Sequence, residues 1–115
     1  MARTTVSKTQ SSGGYAYSGV TLNLQAGDAA NGNQFAMNGG EYVVLQNSGA
    51  TPRIVTLYSV ADVYGRTKDI SETLAAGAFA VYGPFPLGGW RQTDGYFYLN
   101  VAHAEVKIAV LAPPV

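Results

Sequence analysis

The chain has 115 residues, one histidine and no cysteine, and its seven Lys and Arg residues balance seven Asp and Glu residues. This length fits one domain that can close a single hydrophobic core. Charges of neither sign cluster, so the basic footprint of a protein that binds nucleic acid or an anionic membrane is missing, and the lack of cysteine excludes disulfides and thiolate metal sites.

Residues 1–14 are polar and rich in serine and threonine. No apolar stretch follows the initial charge, so a secretory signal is not expected. No later segment has the run of about 18 apolar residues that a membrane helix needs. We therefore expect a protein made in the cytoplasm, with a flexible arm at residues 1–14 and a folded domain at residues 15–115.

The predicted arm carries Arg3 and Lys8 but no carboxylate, and Thr4, Thr5 and Val6 favour an extended strand. A short cationic strand can pair with, or lie across, an acidic protein surface. Arg3, Thr5 and Lys8 are therefore candidate partner-binding residues. Deleting the arm is expected to weaken binding while leaving the thermal midpoint nearly unchanged. A terminus without any role is the alternative.

Turn residues interrupt the rest of the sequence at short intervals. They include Asn31-Gly32, Asn38-Gly39-Gly40, Asn47-Ser48-Gly49, Gly65, Gly77, Gly88-Gly89 and Asp94-Gly95. The gaps between them are filled with β-branched and aromatic residues. This pattern predicts an all-β sandwich or barrel.

The first predicted strands alternate apolar and polar residues. The residues expected to face the core are Val20, Leu22, Leu24, Phe35, Met37, Val43 and Leu45, while Tyr42, Val44 and Gln46 face outward. Residues 53–60 are apolar on both faces, as in a central strand or one covered by a partner. Residues 62–74 fit either a helical turn or a strand of a hairpin, and we prefer the strand.

Two prolines in Gly83-Pro84-Phe85-Pro86 predict that the strand containing Phe79 and Val81 ends there, because proline cannot donate to a ladder. Asp94-Gly95 then signals a hairpin. The last two strands alternate most clearly. Their expected core residues are Phe97, Leu99, Val101, Val106, Ile108 and Val110.

Candidate catalytic groups are few. His103 and Glu105 would share a strand face and could ligate a metal together, but a metal site normally needs three or four ligands, so an exposed rim histidine is the simpler interpretation. Asp62, Asp69 and Glu72 are the only clustered carboxylates. Paired carboxylates serve glycoside hydrolysis, but the spacing of these three fits no specific template, and solvated loop charges are the default interpretation. We therefore expect no enzymatic activity, no cofactor and no metal.

Aromatic residues outside the predicted core are the remaining unusual feature. Tyr42, Tyr96 and Tyr98 fall on outward faces, and others surround the proline-rich segment. Since Tyr, Trp and Arg are enriched where proteins meet, the candidate partner-binding residues also include Tyr82, Phe85, Trp90 and Arg91. The alternative is that these aromatics cover a sheet or cap one end of the sandwich.

The stretch from Ala29 to the C-terminus, about three quarters of the chain, resembles a group of small proteins encoded among the head-assembly genes of tailed bacteriophages and prophages. The motifs that carry the resemblance are Ala29-Ala30-Asn31-Gly32-Asn33-Gln34-Phe35, Asn38-Gly39-Gly40-Glu41-Tyr42-Val43-Val44-Leu45-Gln46-Asn47, Ala75-Ala76-Gly77, Gly83-Pro84-Phe85-Pro86 and Asp94-Gly95. The segment from Tyr58 to Leu74 departs from the pattern, because it is longer and more charged.

The resemblance implies a capsid decoration, or cement, protein. Such a protein is a β-sandwich of jelly-roll type, is often a homotrimer, and binds the outside of the head formed by the major capsid protein, so its location would be the virion. Two alternatives remain open. A carbohydrate-binding module would use Tyr96, Tyr98 or Trp90 as platforms for sugar rings, and a head–tail joining or tail subunit would share the same sequence features.

Overall fold

The structure, a computed structural model, describes residues 3–11 and 21–113. This part of the chain forms ten β-strands, and none of it forms a helix long and apolar enough to cross a membrane. The strands are β1 (Thr4–Thr5), β2 (Lys8–Gln10), β3 (Gln25–Ala26), β4 (Asn33–Ala36), β5 (Glu41–Asn47), β6 (Arg53–Tyr58), β7 (Ile70–Leu74), β8 (Phe79–Phe85), β9 (Tyr96–Val101) and β10 (Val106–Ala112).

The strands make two sheets that pack face to face. Sheet A has the order β1-β4-β9-β6-β7, and sheet B has the order β2-β10-β5-β8, with β3 also pairing β10. The pairs β1–β4 and β2–β10 are parallel, and the remaining pairs are antiparallel. The predicted all-β sandwich is confirmed at this level.

The core lies between the sheets and follows the period of two. On β9, Phe97, Leu99 and Val101 are buried, and on β10 the residues Val106, Ile108 and Val110 are buried, as predicted. Burying each of these side chains stabilises the fold by about 1.5–3 kcal/mol. The inner faces of the two sheets are therefore the main source of stability.

The N-terminal segment differs from the predicted flexible arm. β1 pairs with β4 and β2 pairs with β10, so residues 3–11 add one strand to each sheet. Val6 lies between them, is 2% exposed, and its N–H donates to the carbonyl of Gln34 at 2.7 Å. The polar composition does not indicate this pairing, because one buried valine and hydrogen bonds to free backbone groups at two sheet edges are enough to fix a short polar segment in place.

The domain boundary stays a prediction. Residues 1, 2 and 12–14 of the expected arm, and Val20 of the expected first strand, lie outside the described residues. Leu22 and Leu24 are half-buried but belong to no strand, and the first strand after the gap is β3.

β8 ends within the Gly83-Pro84-Phe85-Pro86 run, as predicted, but pairing continues past the first proline to Phe85. Its pairing with β5 shifts register between Glu41 and Val43, and the Gly83–Pro84 peptide is cis. Pro84 therefore sits in an irregularity of the ladder, a position where its missing N–H breaks no regular hydrogen bond.

Residues 53–74 contain two strands and a loop. β6 lies centrally in sheet A between β9 and β7, as its apolar pattern predicted, and the preferred strand near Ile70 and Leu74 is β7. A loop spans residues 59–69 between them. Although β6 is central, Ile54 on its outer face is 54% exposed.

Candidate functional site

Arg3 is engaged within the protein. Its guanidinium lies 4.4 Å from the ring centre of Tyr98 and 5.6 Å from that of Tyr58. It donates hydrogen bonds to the carbonyl oxygens of Asn33 and Leu99, at 3.3 and 3.2 Å, and to Oδ1 of Asn100 at 2.6 Å. Arg3 thus fixes the start of β1 to sheet A.

Lys8 is also engaged, by the fully buried Glu41. The Lys8 Nζ atom lies 3.2 Å from Glu41 Oε2, and the same carboxylate accepts the backbone N–H groups of Asn38 and Gly39, both at 2.7 Å. Burial alone would raise the pKa of Glu41, but the N–H of Asn38 and the Lys8 ammonium outweigh it, so the pKa lies below its usual value.

Glu41 therefore ties β2, β5 and the turn before β5 together, a role that sequence reasoning missed. The available signal was a lone carboxylate directly after the turn Asn38-Gly39-Gly40. A cavity of about 600 Å³ opens beside this group. Because the ionic groups that line it are already paired with each other, the cavity presents no free charge to a ligand.

Phe85 and Trp90 cap one end of the sandwich. Phe85 is 4% exposed, and its ring centre lies 4.7 Å from that of Trp90 and 4.8 Å from that of Phe97. Trp90 is half-buried and stacks on Phe97. These aromatics pack internally, in agreement with the alternative interpretation of the sequence, and of the predicted pair Trp90-Arg91 only Arg91 is exposed.

Thr5 and Tyr82 complete the set of predicted partner-binding residues. Thr5 is exposed on β1, where its hydroxyl accepts a hydrogen bond from the side chain of Gln34. Tyr82 donates its hydroxyl to the carboxylate of Glu72 and so links β8 of sheet B to β7 of sheet A. Burial, together with the adjacent carboxylate, raises the pKa of Tyr82. The seven candidates therefore lie in several places and form no single patch.

The candidate catalytic groups are each engaged in contacts within the protein. His103 Nδ1 accepts the N–H of Glu105, whose carboxylate pairs with Arg53 at 3.2 Å. Asp62 accepts the backbone N–H of Arg66 and pairs with its guanidinium at 2.8 Å. Within the described residues, no three His, Asp or Glu side chains are grouped as metal ligands.

The Asp62 contacts hold the pKa of its carboxyl below the usual range, the N–H of Arg66 being the largest cause. Asp69 accepts the N–H and hydroxyl of Ser59, and Glu72 accepts Tyr82. The three clustered carboxylates thus stabilise a loop and a strand edge, and each has its own partner.

Among the described strands, β8 carries the two most exposed large apolar side chains. Phe79 and Val81 are 62% and 65% exposed on the outer face of sheet B, where Val81 stands opposite Val44. Sequence reasoning missed this surface. The signal was present, because residues 73–90 contain no charged side chain.

Comparison of the chain with protein-family models, with curated proteins and with solved structures finds no match. The fold and the exposed surface are therefore the observations from which a function can be argued.

Proposed function

We propose that the protein is a virion structural protein, a capsid decoration protein that binds the outer surface of a tailed-phage head as a homotrimer and stabilises the shell. The proposed partner is the major capsid protein, and the role requires no catalysis and no cofactor. The sequence resemblance is one support. The second support is the exposed apolar surface of β8.

The strand order supports a jelly-roll fold, the type expected of such proteins. The last eight strands pair as β3–β10, β4–β9, β5–β8 and β6–β7, all antiparallel. The same pairs would form if the eight strands made one long hairpin, in which the first strand lies beside the last, the second beside the next to last, and so on. Winding that hairpin places β3-β10-β5-β8 in one sheet and β4-β9-β6-β7 in the other, as two Greek keys do.

The single observation that carries the proposal is the uncovered apolar strand at an edge of sheet B. Exposed apolar residues on an edge strand are a liability that soluble proteins normally avoid or cover. Phe79 and Val81 lie on such a strand. A small subunit that completes its burial by joining a larger assembly accounts for them.

Stabilisation of the shell follows from mass action. A protein that binds only the assembled shell lowers its free energy by RT ln(1 + [L]/Kd) per site, and several sites per trimer add avidity.

The test uses expanded heads that lack the protein. Purified protein is expected to co-sediment with these heads, and failure to do so would sink the proposal. Light scattering after size exclusion should report three subunits, whereas a monomer at high concentration would remove the trimer. Immunogold label on the head is expected, and label at the neck or tail would favour the joining or tail subunit.

Two of the three platforms of the carbohydrate-binding alternative have one ring face covered. The Arg3 guanidinium lies over the ring of Tyr98, and Trp90 stacks on Phe97. A sugar ring needs an uncovered aromatic face, so of the three only Tyr96 remains without a ring or cation stacked on it in the described part of the chain. We do not put this function forward.

A further inference from the structure

At the free edge of β8, the backbone has no partner strand in the described chain, and the side chains of Phe79 and Val81 are exposed. Alternate residues of an antiparallel strand direct N–H and C=O to opposite sides. The N–H of Asn47 donates to the carbonyl of Ala78. The next residues of β5 whose backbone groups point toward β8 are therefore Leu45 and Val43, which lie opposite Ala80 and Tyr82. By this alternation Phe79 and Val81 direct their backbone groups away from β5. No other strand of the described chain pairs with that side of β8.

The other sheet edges are protected. β1 covers β4, while β2 and β3 cover β10. The edge strand β7 carries the exposed polar side chains of Ser71, Glu72 and Thr73. Natural sheets use short strands, charges and prolines to prevent pairing at an edge. On β8 the only such device is Pro84, which leaves residues 79–82 open.

We propose that an extended segment of the major capsid protein adds to the free edge of β8 as a further strand of sheet B. This inference rests on the proposed function. Strand addition of this kind takes its affinity from main-chain hydrogen bonds and its specificity from alternate side chains. Residues 79–82 supply an uncharged site for it.

The side chains around β8 determine which residue types the incoming strand must present. Phe79 and Val81 lie on the outer face, so the strand presents apolar residues on that face. Tyr82 and Glu72 lie where the two sheets meet, and no ion pair in the described residues uses the Glu72 carboxylate. The alternate residues of the incoming strand therefore include Lys or Arg beside Glu72.

The same charge argues against a second copy as the occupant. Pairing of β8 with β8 of another copy would bring two β7 edges together, each with Glu72 and no lysine or arginine. Like charges placed together across an interface are unfavourable. A segment of the shell protein with a basic residue meets no such repulsion.

The first experiment is co-sedimentation with expanded heads lacking the protein. Val81→Lys places a charge at the open edge and is expected to weaken binding at least tenfold. The matched control is Ile54→Lys, because Ile54 is similarly exposed but lies on β6, which is paired on both sides. The control should bind like wild type, and both variants should keep the wild-type thermal midpoint.

A second readout separates strand addition from simple side-chain contact. The amides of Phe79 and Val81 should exchange quickly in the free protein and slowly on heads. In addition, Glu72→Lys should weaken binding, since it would oppose the basic residue of the incoming strand.

The outcomes are distinguishable. If the wild-type protein does not bind heads, both the proposed function and this inference are wrong. Wild type that binds while Val81→Lys binds equally well, or while the two amides stay unprotected, overturns the inference alone. A Val81→Lys variant that lowers the subunit number in light scattering and still binds heads would show that β8 pairs with a second copy, which also overturns it.

Discussion

The two sides of the sandwich, where edges of sheet A meet edges of sheet B, are built in opposite ways. On one side, the segment from Arg3 to Ser11 covers both sheets, with β1 beside β4 and β2 beside β10. On the other side, no further strand of the described chain pairs with β7 or β8, and the hydrogen bond from Tyr82 to Glu72 links them. We call these the closed side and the open side.

This difference teaches where sequence composition misleads. The closed side is made by a polar segment, whereas the open side includes β8, an uncharged strand that is rich in apolar residues. Polarity therefore did not decide which segment packs and which remains exposed. What decided it was the availability of unpaired backbone groups at the sheet edges and of one buried pocket for Val6.

The largest expected effect is on the closed side. Deleting residues 1–11 removes the burial of Val6, worth about 1.5–3 kcal/mol, and leaves the buried Glu41 carboxylate without Lys8, which can add about 3 kcal/mol. We expect the free energy of unfolding in urea to fall by several kcal/mol. A truncated protein with the wild-type midpoint would restore the flexible arm predicted from composition.

The second effect contrasts two phenylalanines of the same strand. Phe85→Ala should lower the free energy of unfolding by about 3–5 kcal/mol, because the ring is buried against Trp90 and Phe97. Phe79→Ala should change it by less than about 0.5 kcal/mol, since the side chain is exposed. If chemical denaturation shows equal losses of unfolding free energy for the two variants, β8 is not divided into an exposed end at Phe79 and a buried end at Phe85.

A smaller effect concerns pH. Since the pKa of Glu41 in the folded protein is below its usual value of 4.5, the carboxylate adds stability that is complete above that value and is lost as pH falls through the folded pKa. Glu41→Gln should therefore destabilise the protein at pH 7, with the difference from wild type shrinking as the pH is lowered below about 4. Urea unfolding of both proteins across this range measures it, and a constant difference would contradict it.

The smallest effect is at Arg3. Arg3→Lys keeps the charge but loses the planar guanidinium that stacks on Tyr98 and reaches three oxygen atoms. We expect a loss of about 1 kcal/mol, nearly as large as that of Arg3→Ala. Lysine that restores full stability would show that the charge alone matters.

Much of the fold could be predicted from the sequence. The alternation in β9 and β10 identified Phe97, Leu99, Val106 and Ile108 as core residues, because a period of two leaves one face for the interior. The turn dipeptide Asp94-Gly95 does mark the start of β9, but the hairpin predicted there is wrong, because β9 pairs with β4 and β6 and the preceding strand β8 pairs with β5.

The candidate site could be predicted only in part. Arg3 and Lys8 stood out as unpaired cations, but their partners Tyr98 and Glu41 are distant in the chain, and contacts of that range have no local signature. The sequence places Phe85 among prolines and makes it a candidate partner-binding residue, whereas in the structure Phe85 is buried in the core near the irregular pairing of β8. The open edge of β8 depends on strand order, which spacing does not reveal.

Hydrogen exchange of the free protein tests the contrast between the two sides most directly. The amides of Thr4, Val6 and Ser11, which donate to the carbonyls of Gly32, Gln34 and Ala112, should exchange slowly, while those of Phe79 and Val81 should exchange quickly. Fast exchange at Thr4, Val6 and Ser11 together with slow exchange at Phe79 and Val81 would reverse the contrast between the closed side and the open side and contradict the account.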